Sequence, residues 1–354
     1  STTTRSTITG IVASTTYEAR VRVQYNTSNF SDWSNTAEGL TKPDSILFDS
    51  PYMAMNVGGS TVTKVVAMYD NTRIYLNGVE VAGSPISKGV PLTIHGGTIQ
   101  FDYIDSDKPI YTAGNKGGTS GGGGAANIGW QPTAWAGKSF SFNSIRSNPQ
   151  HLYVFATENT TVTVKSGATV LAGPTTITAG TGDTLTWSAY GSFQVISTGT
   201  ILAFHASNST VDAKPLLPSS TEIIGFPSNS MRLTADVDAT NYTGIHSNSS
   251  TESDSLNKID SDNIGPSGGG SSLYQGNCLI LSADKKVAGA SFADSNGSAA
   301  SPFLPTNLMK KKYVINNSAD YVAFASKQAG TIDVYSPAQT IGVSTPAQVL
   351  TLTR

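Results

Sequence analysis

Four histidines, 24 acidic residues and one cysteine are the groups in this chain that could carry acid–base, metal or nucleophilic chemistry. Gly118-Thr119-Ser120-Gly121-Gly122 has the form G-x-S-x-G. A nucleophile elbow needs its serine on a strand-to-helix turn, and this serine lies inside a glycine run with no helical pattern after it. The end of a phosphate-binding loop is echoed by Trp135-Ala136-Gly137-Lys138-Ser139, but Pro132 stands where the first glycine is required. His95, His151, His205 and His246 are far apart and form no H-E-x-x-H pair. His205, at the end of an apolar strand, is expected to be a hydrogen-bonded histidine at a strand rim. The acidic steps at 105–108, 235–240, 260–263 and 294–298 lack the spacing of a calcium loop and are expected to cap turns. Cys278, in the apolar run Asn277-Cys278-Leu279-Ile280-Leu281, is expected to be a buried thiol; a lone cysteine excludes a disulfide framework and a cysteine zinc site. Paired carboxylates of the kind that cleave glycosides leave no signal. The expectation is therefore no catalytic residue, no metal ligand and no cofactor.

Recognition is better provided for. Tyr111, Trp130, Trp135 and Tyr274 sit at the edges of two glycine-rich stretches, 114–130 and 265–277. Such rings could stack on a sugar or clamp a neighbouring subunit. The two stretches are expected to be long loops at equivalent places, each after a pair of hairpins and before an apolar strand, and to include an inter-subunit contact.

The elements that would carry these loops are strands. Period-two alternation with Gly, Pro, Asn and Asp punctuation recurs throughout, as in Tyr17–Tyr25, Thr72–Gly78 and Thr161–Gly167. The best helix candidate is the short stretch 253–261. No apolar run reaches 18 residues. A net charge of −2 gives no electrostatic basis for binding nucleic acid or an anionic membrane. Only 13% of residues are charged, about half the usual share in a soluble domain. That composition suits a member of a large assembly or an extracellular protein better than a metabolic enzyme.

One small object is built more than once. Asp70-Asn71-Thr72-Arg73-Ile74 aligns with Glu158-Asn159-Thr160-Thr161-Val162, each a polar tip between two strands. Further copies place Asp238 and Thr240, and then Thr331-Ile332, in the same positions. A second motif travels with the first: 199–218 resembles 285–305, with a fainter form at 108–118. Each has an apolar strand and a small-residue turn, and the first two exit through Pro-x-Leu-Pro. A hairpin alone is marginal, so each unit must have its apolar face covered by a neighbour. The spacing is too long for one propeller blade and fits pseudo-symmetric β-sandwich modules. The fold expected is all-β, of modular β-sandwich type, with internally duplicated β units and long Gly-rich loops.

Residues 1–41 resemble the C-terminal half of a fibronectin type III domain. Tyr17 matches its tyrosine corner, and Ser31-Asp32-Trp33-Ser34 matches the step that opens its last strand. The earlier strands of such a domain are not in the sequence, so Ser1 is expected to lie inside a longer polypeptide. The run Tyr153–Val164 resembles the β-repeats of IgGFc-binding-type proteins, and the combination resembles structural proteins of tailed bacteriophages, those of marine cyanobacteria included. Three regions are expected: the fibronectin-like half at 1–41, a first β-repeat region at 42–218 and a second at 219–354. The resemblance implies a non-enzymatic virion protein. Its partners would be copies of itself and other virion proteins, with a host-surface glycan or receptor as a further candidate. A bacterial cell-surface adhesin is the alternative reading, and a tailspike hydrolase a third.

Overall fold

The computed structural model describes residues 16–19, 37–40, 52–54, 61–97, 101–116, 126–129, 131–145, 149–206, 214–226, 230–246, 249–258, 261–263, 278–292, 300–309, 321–327, 330–335, 338–343 and 348–353. Among them there is no α-helix; strands alternate with turns, and two single 3-10 turns occur at Thr133–Trp135 and Thr306–Leu308. The helix candidate is a correction: Thr251–Leu256 is a strand paired antiparallel with Thr240–His246. Its Ser and Asp residues alternate along an exposed edge, so pairing overrides the weak helical pattern.

The chain divides into two compact units, Ser1–Phe48 with Lys310–Tyr313, and Asp49–Met309 with Val314–Arg354. In the first, Thr16–Ala19 pairs antiparallel with Ala37–Leu40, Tyr17 opposite Gly39.

The second unit contains one strand plan three times. In the middle repeat the seven strands are Gly137–Ser144, Gln150–Ala156, Thr160–Ser166, Thr169–Ile177, Gly182–Trp187, Gly191–Ala206 and Lys214–Leu216. The long sixth strand serves two sheets. Its first half lies between the first and third strands, and the fourth adds to the third. Its second half lies between the second and seventh strands, and the fifth adds to the second. The two sheets enclose Phe140, Phe142, Leu152, Val154, Val162, Val164, Trp187, Phe193, Val195 and Ile201. This is a β-sandwich closed along one side by a shared, bent strand.

The first repeat has the same plan, with its sixth strand split into Asp102–Ser106 and Ile110–Lys116. The third has it with Leu279–Phe292 as an unbroken sixth strand. Register makes the equivalence residue by residue. Ala67 faces Ile110, Ala156 faces Ile201 and Ala235 faces Val287. Ile74, Val162 and Tyr242 face Ser106, Ser197 and Ala283. Ile74 and Val162 are both fully buried, as duplication requires. Residues 321–353 continue the series: Tyr321–Ser326 pairs with Gln348–Thr353 and Gly330–Tyr335 with Ala338–Val343, the pairings of second with fifth and third with fourth strand.

The tips explain why the motif is acid, small residue, Thr. Thr72 and Thr240 are buried, and each hydroxyl donates to the carbonyl three residues back, Tyr69 O and Val237 O, at 2.6 Å. Asp70 accepts Lys88 N at 2.9 Å and Asp238 accepts Lys258 N at 2.8 Å. From the start of the sixth strand's second half, Lys108 Nζ donates to Asp70 O and Asn71 O, and Lys285 Nζ to Asp238 O and Ala239 O. Asp107 and Asp284 accept the N–H groups of Arg73 and Asn241. The middle repeat does this differently. Its tip is one residue shorter, Asn159 accepts Ala179 N, Thr198 accepts Thr161 N, and Gly199 replaces the lysine. The copy at 235–240 is thus nearer in detail to the copy at 67–72 than the one at 156–160 is. Thr331 is exposed, so it does not stand in the buried threonine place.

One expectation about the loops is overturned. The first glycine-rich stretch connects a sixth strand to a seventh, Ile110–Lys116 to Ala126–Gly129. The second connects a fifth to a sixth, Ser261–Asn263 to Leu279–Phe292. The two are not equivalent. Of the stretch expected as a loop at 114–130, residues 114–116 and 126–129 are instead paired strand, and only strand pairing says which strands each stretch joins.

Candidate functional site

Successive repeats meet face to face, and the joints between them are where the chain concentrates its unusual side chains. At the first joint, Tyr153, Phe155, Leu202, Phe204 and Ala206 point away from the core of the middle repeat yet are buried. Phe101 and Tyr103 of the first repeat pack on them, with Trp135 and Ala136 from the connecting turn. The Tyr103 and Phe155 rings stack at 6.2 Å between centroids. Burial pushes the Tyr153 hydroxyl up to about 12. Gln131 reaches into the same joint and donates from Nε2 to Ala203 O at 3.0 Å.

At the second joint the same positions carry different chemistry. Register places Arg232, Thr234, Ala288 and Ala290 of the third repeat where the middle repeat has Tyr153, Phe155, Leu202 and Phe204. The facing strand of the middle repeat presents Ser141 and Asn143 rather than aromatic rings. The Asp236 carboxylate accepts the hydroxyls of Ser141 and Ser219 and so ties the two repeats together. Small side chains leave a cavity of about 20 Å3, bordered by Ser141, Asn143, Lys214, Arg232, Thr234 and Phe303.

The third joint is apolar again. Ile224, Cys278 and Ile280 pack with Phe226, Leu304, Met309 and Ala325. Lys327 pairs with Glu222, which also accepts Thr306 Oγ1 at 2.7 Å. Burial pushes the Glu222 carboxyl up, but the hydrogen bonds from Lys327 and Thr306 outweigh it and its pKa is lowered. Cys278 is buried as expected, its thiol pushed up to about 12 by burial.

Of the four aromatic residues singled out from sequence, Trp135 lies in the first joint. Tyr111 is half-buried on the sixth strand of the first repeat, opposite Val66, in the register position of Leu202. Its hydroxyl pKa is raised by burial. Trp130 and Tyr274 lie outside the described residues, as do Ser120, 264–277 and the acidic step at 294–298. The acidic steps at 105–108 and 235–240 cap turns, through Asp107 and Asp238. Among the described residues no three His, Cys, Asp or Glu side chains converge as a metal site would require.

His205 needs correcting. It is not at a rim: it is 3% exposed, with Nε2 2.8 Å from Gln150 Oε1 and its ring against Phe142 at 4.6 Å. Burial holds its pKa well below the ordinary value, helped by the nearby Lys214 charge. Lys214, which the sequence does not single out, is 3% exposed. Only the two-sheet context reveals it, because Ala213-Lys214-Pro215 has no apolar periodicity to mark it as interior.

Comparison with protein-family models, curated proteins and solved structures gives no match.

Proposed function

We propose that this chain is a non-enzymatic structural protein of a tailed-phage particle: a tail or neck fibre, baseplate or capsid-surface component acting in assembly or host attachment. The observation that carries the reading is the serial construction. Three β-sandwiches of one plan follow one another through packed joints, the first of them lined by Phe101, Tyr103, Tyr153, Phe155, Leu202 and Phe204. Burying both faces of a repeat this way favours a rigid rod or spacer, whose work is to hold and to contact. The weakly charged surface and the resemblance of 1–41 to half a fibronectin type III domain support the same reading. Its partners would be further copies of itself and other virion proteins, and its location the virion.

Antibodies raised against residues 61–309 provide the test. Labelling of purified phage particles at the tail, neck or capsid surface in electron micrographs is the expected result. Labelling of uninfected bacterial cell envelopes and not of particles would replace the reading with a cell-surface adhesin. Release of reducing sugar from host polysaccharide by the purified chain would overturn the non-enzymatic assignment.

A further inference from the structure

One lysine amine is buried at the second joint, and the third repeat supplies part of its cover. Lys214 is 3% exposed. Its Nζ donates to Asn143 O at 2.6 Å and lies 5.8 Å from the centre of the Phe142 ring, both in the middle repeat. The nearer ring, at 4.6 Å, is Phe292 of the third repeat. His205 stands opposite Lys214 on the neighbouring strand and is equally buried. Register gives the place of Lys214 to Ile128 in the first repeat and to Ser301 in the third, and that of His205 to Gly114 and Ser291. The plan of the sandwich therefore does not require a base at either place.

The other titratable and charged side chains around this pair are His151, beside Gln150 on the second strand, and Arg232 and Asp236 on the facing strand of the third repeat. Asp236 is the acid among them, and it accepts the hydroxyls of Ser141 and Ser219. The strand positions that carry Tyr153, Phe155, Leu202 and Phe204 at the first joint carry Arg232, Thr234, Ala288 and Ala290 here. The turn Thr133–Trp135 that covers the first joint has no counterpart either. Gly137 and Ser220 share a register position, and only Ser219 separates Ser220 from Pro218. Parting the second joint thus exposes fewer rings to water than parting the first.

We propose that the seam between the middle and third repeats is an acid-opened joint, in which Lys214 is the proton sensor, Phe292 its removable cover and Ser219 the pivot. A buried ammonium costs free energy that one carbonyl and two ring faces offset only in part. Moving Phe292 away returns the ammonium to water while the middle sandwich stays folded. An exposed lysine has a pKa of 10.5, and burial lowers that of Lys214 to about 7. Between those values the open seam binds a proton that the closed seam excludes, so opening is favoured as pH falls through that window and levels off below it. From pH 9 to pH 7 the open form gains by about 10- to 50-fold. His205, its pKa held well below 6.5 by burial, adds no charge to the closed seam above that pH.

The test measures distances in the whole chain by electron–electron double resonance. Spin labels on Thr176→Cys and Ser253→Cys span the second joint, and labels on Val79→Cys and Thr176→Cys span the first; all three sites are exposed, whereas Cys278 is buried and escapes labelling. The expected result is one distance for each pair at pH 9, and at pH 6 a second, longer population for 176–253 alone. Lys214→Ile, which copies the first repeat, keeps the single short distance at pH 6. Should that variant fail to fold, the two label pairs in the unaltered chain decide. A 176–253 distance that is the same at both pH values, a change that appears equally across the first joint, or a long population that persists in folded Lys214→Ile would each overturn the proposal.

Discussion

Two buried polar side chains set the energetics at the residue scale. Lys214 has an ordinary pKa of 10.5 when unfolded, and burial brings it to about 7 in the folded chain. Between those values the unfolded chain binds more protons, so stability rises with pH across that window and is lowest below about pH 7. Melts at pH 7, 8 and 9 should show that rise, and Lys214→Met should flatten it and melt higher at pH 7. A rise that persists undiminished in the variant would show that another group is responsible. Thr240 gives the second case. Its hydroxyl, fully buried, satisfies Val237 O, so Thr240→Val keeps the shape and strands the carbonyl. Urea unfolding should show a loss of about 1–2 kcal/mol.

At the element scale the instructive comparison is between the two lysine-held tips. Asn71 has φ 55° and Ala239 has φ 51°, both left-handed. Asparagine tolerates that region and alanine resists it, at a cost of about 1 kcal/mol. The third repeat keeps the conformation because Lys285 holds both carbonyls of the turn. Ala239→Asn, which copies the first repeat, should therefore stabilise the chain by about 0.5–1 kcal/mol in a chemical denaturation experiment, with no change at any joint. Much of this element was legible beforehand. The alignment of Lys108-Pro109-Ile110, Gly199-Thr200-Ile201 and Lys285-Lys286-Val287 needs only the strand pattern and the turn chemistry, and register bears it out at Ile110, Ile201 and Val287. What the lysines do was not legible, because a lysine's reach to a carbonyl some forty residues earlier depends on which strands are neighbours.

For the whole molecule the joints decide whether the repeats form one body or a string. Phe155 touches no core of its own repeat, yet it is 2% exposed. Phe155→Ala should cost about 3–4 kcal/mol, as much as a core truncation, when unfolding is followed by calorimetry. A loss below about 1 kcal/mol would mean that the first joint contributes little in solution. The sequence alone determined that the chain is all-β, that it is duplicated, and where the polar tips fall, because alternation, turn residues and repeat spacing are local properties of the chain. It also showed that each unit offers an apolar face that a neighbour must cover. Only the tertiary structure decided what the covers are. It assigned the two glycine-rich stretches to different connections, drew His205 and Lys214 inside, and set Arg232 opposite Ser141 and Asn143 rather than opposite rings. Those outcomes follow from pairing and stacking between segments far apart in the chain, and no local pattern of residues carries that information.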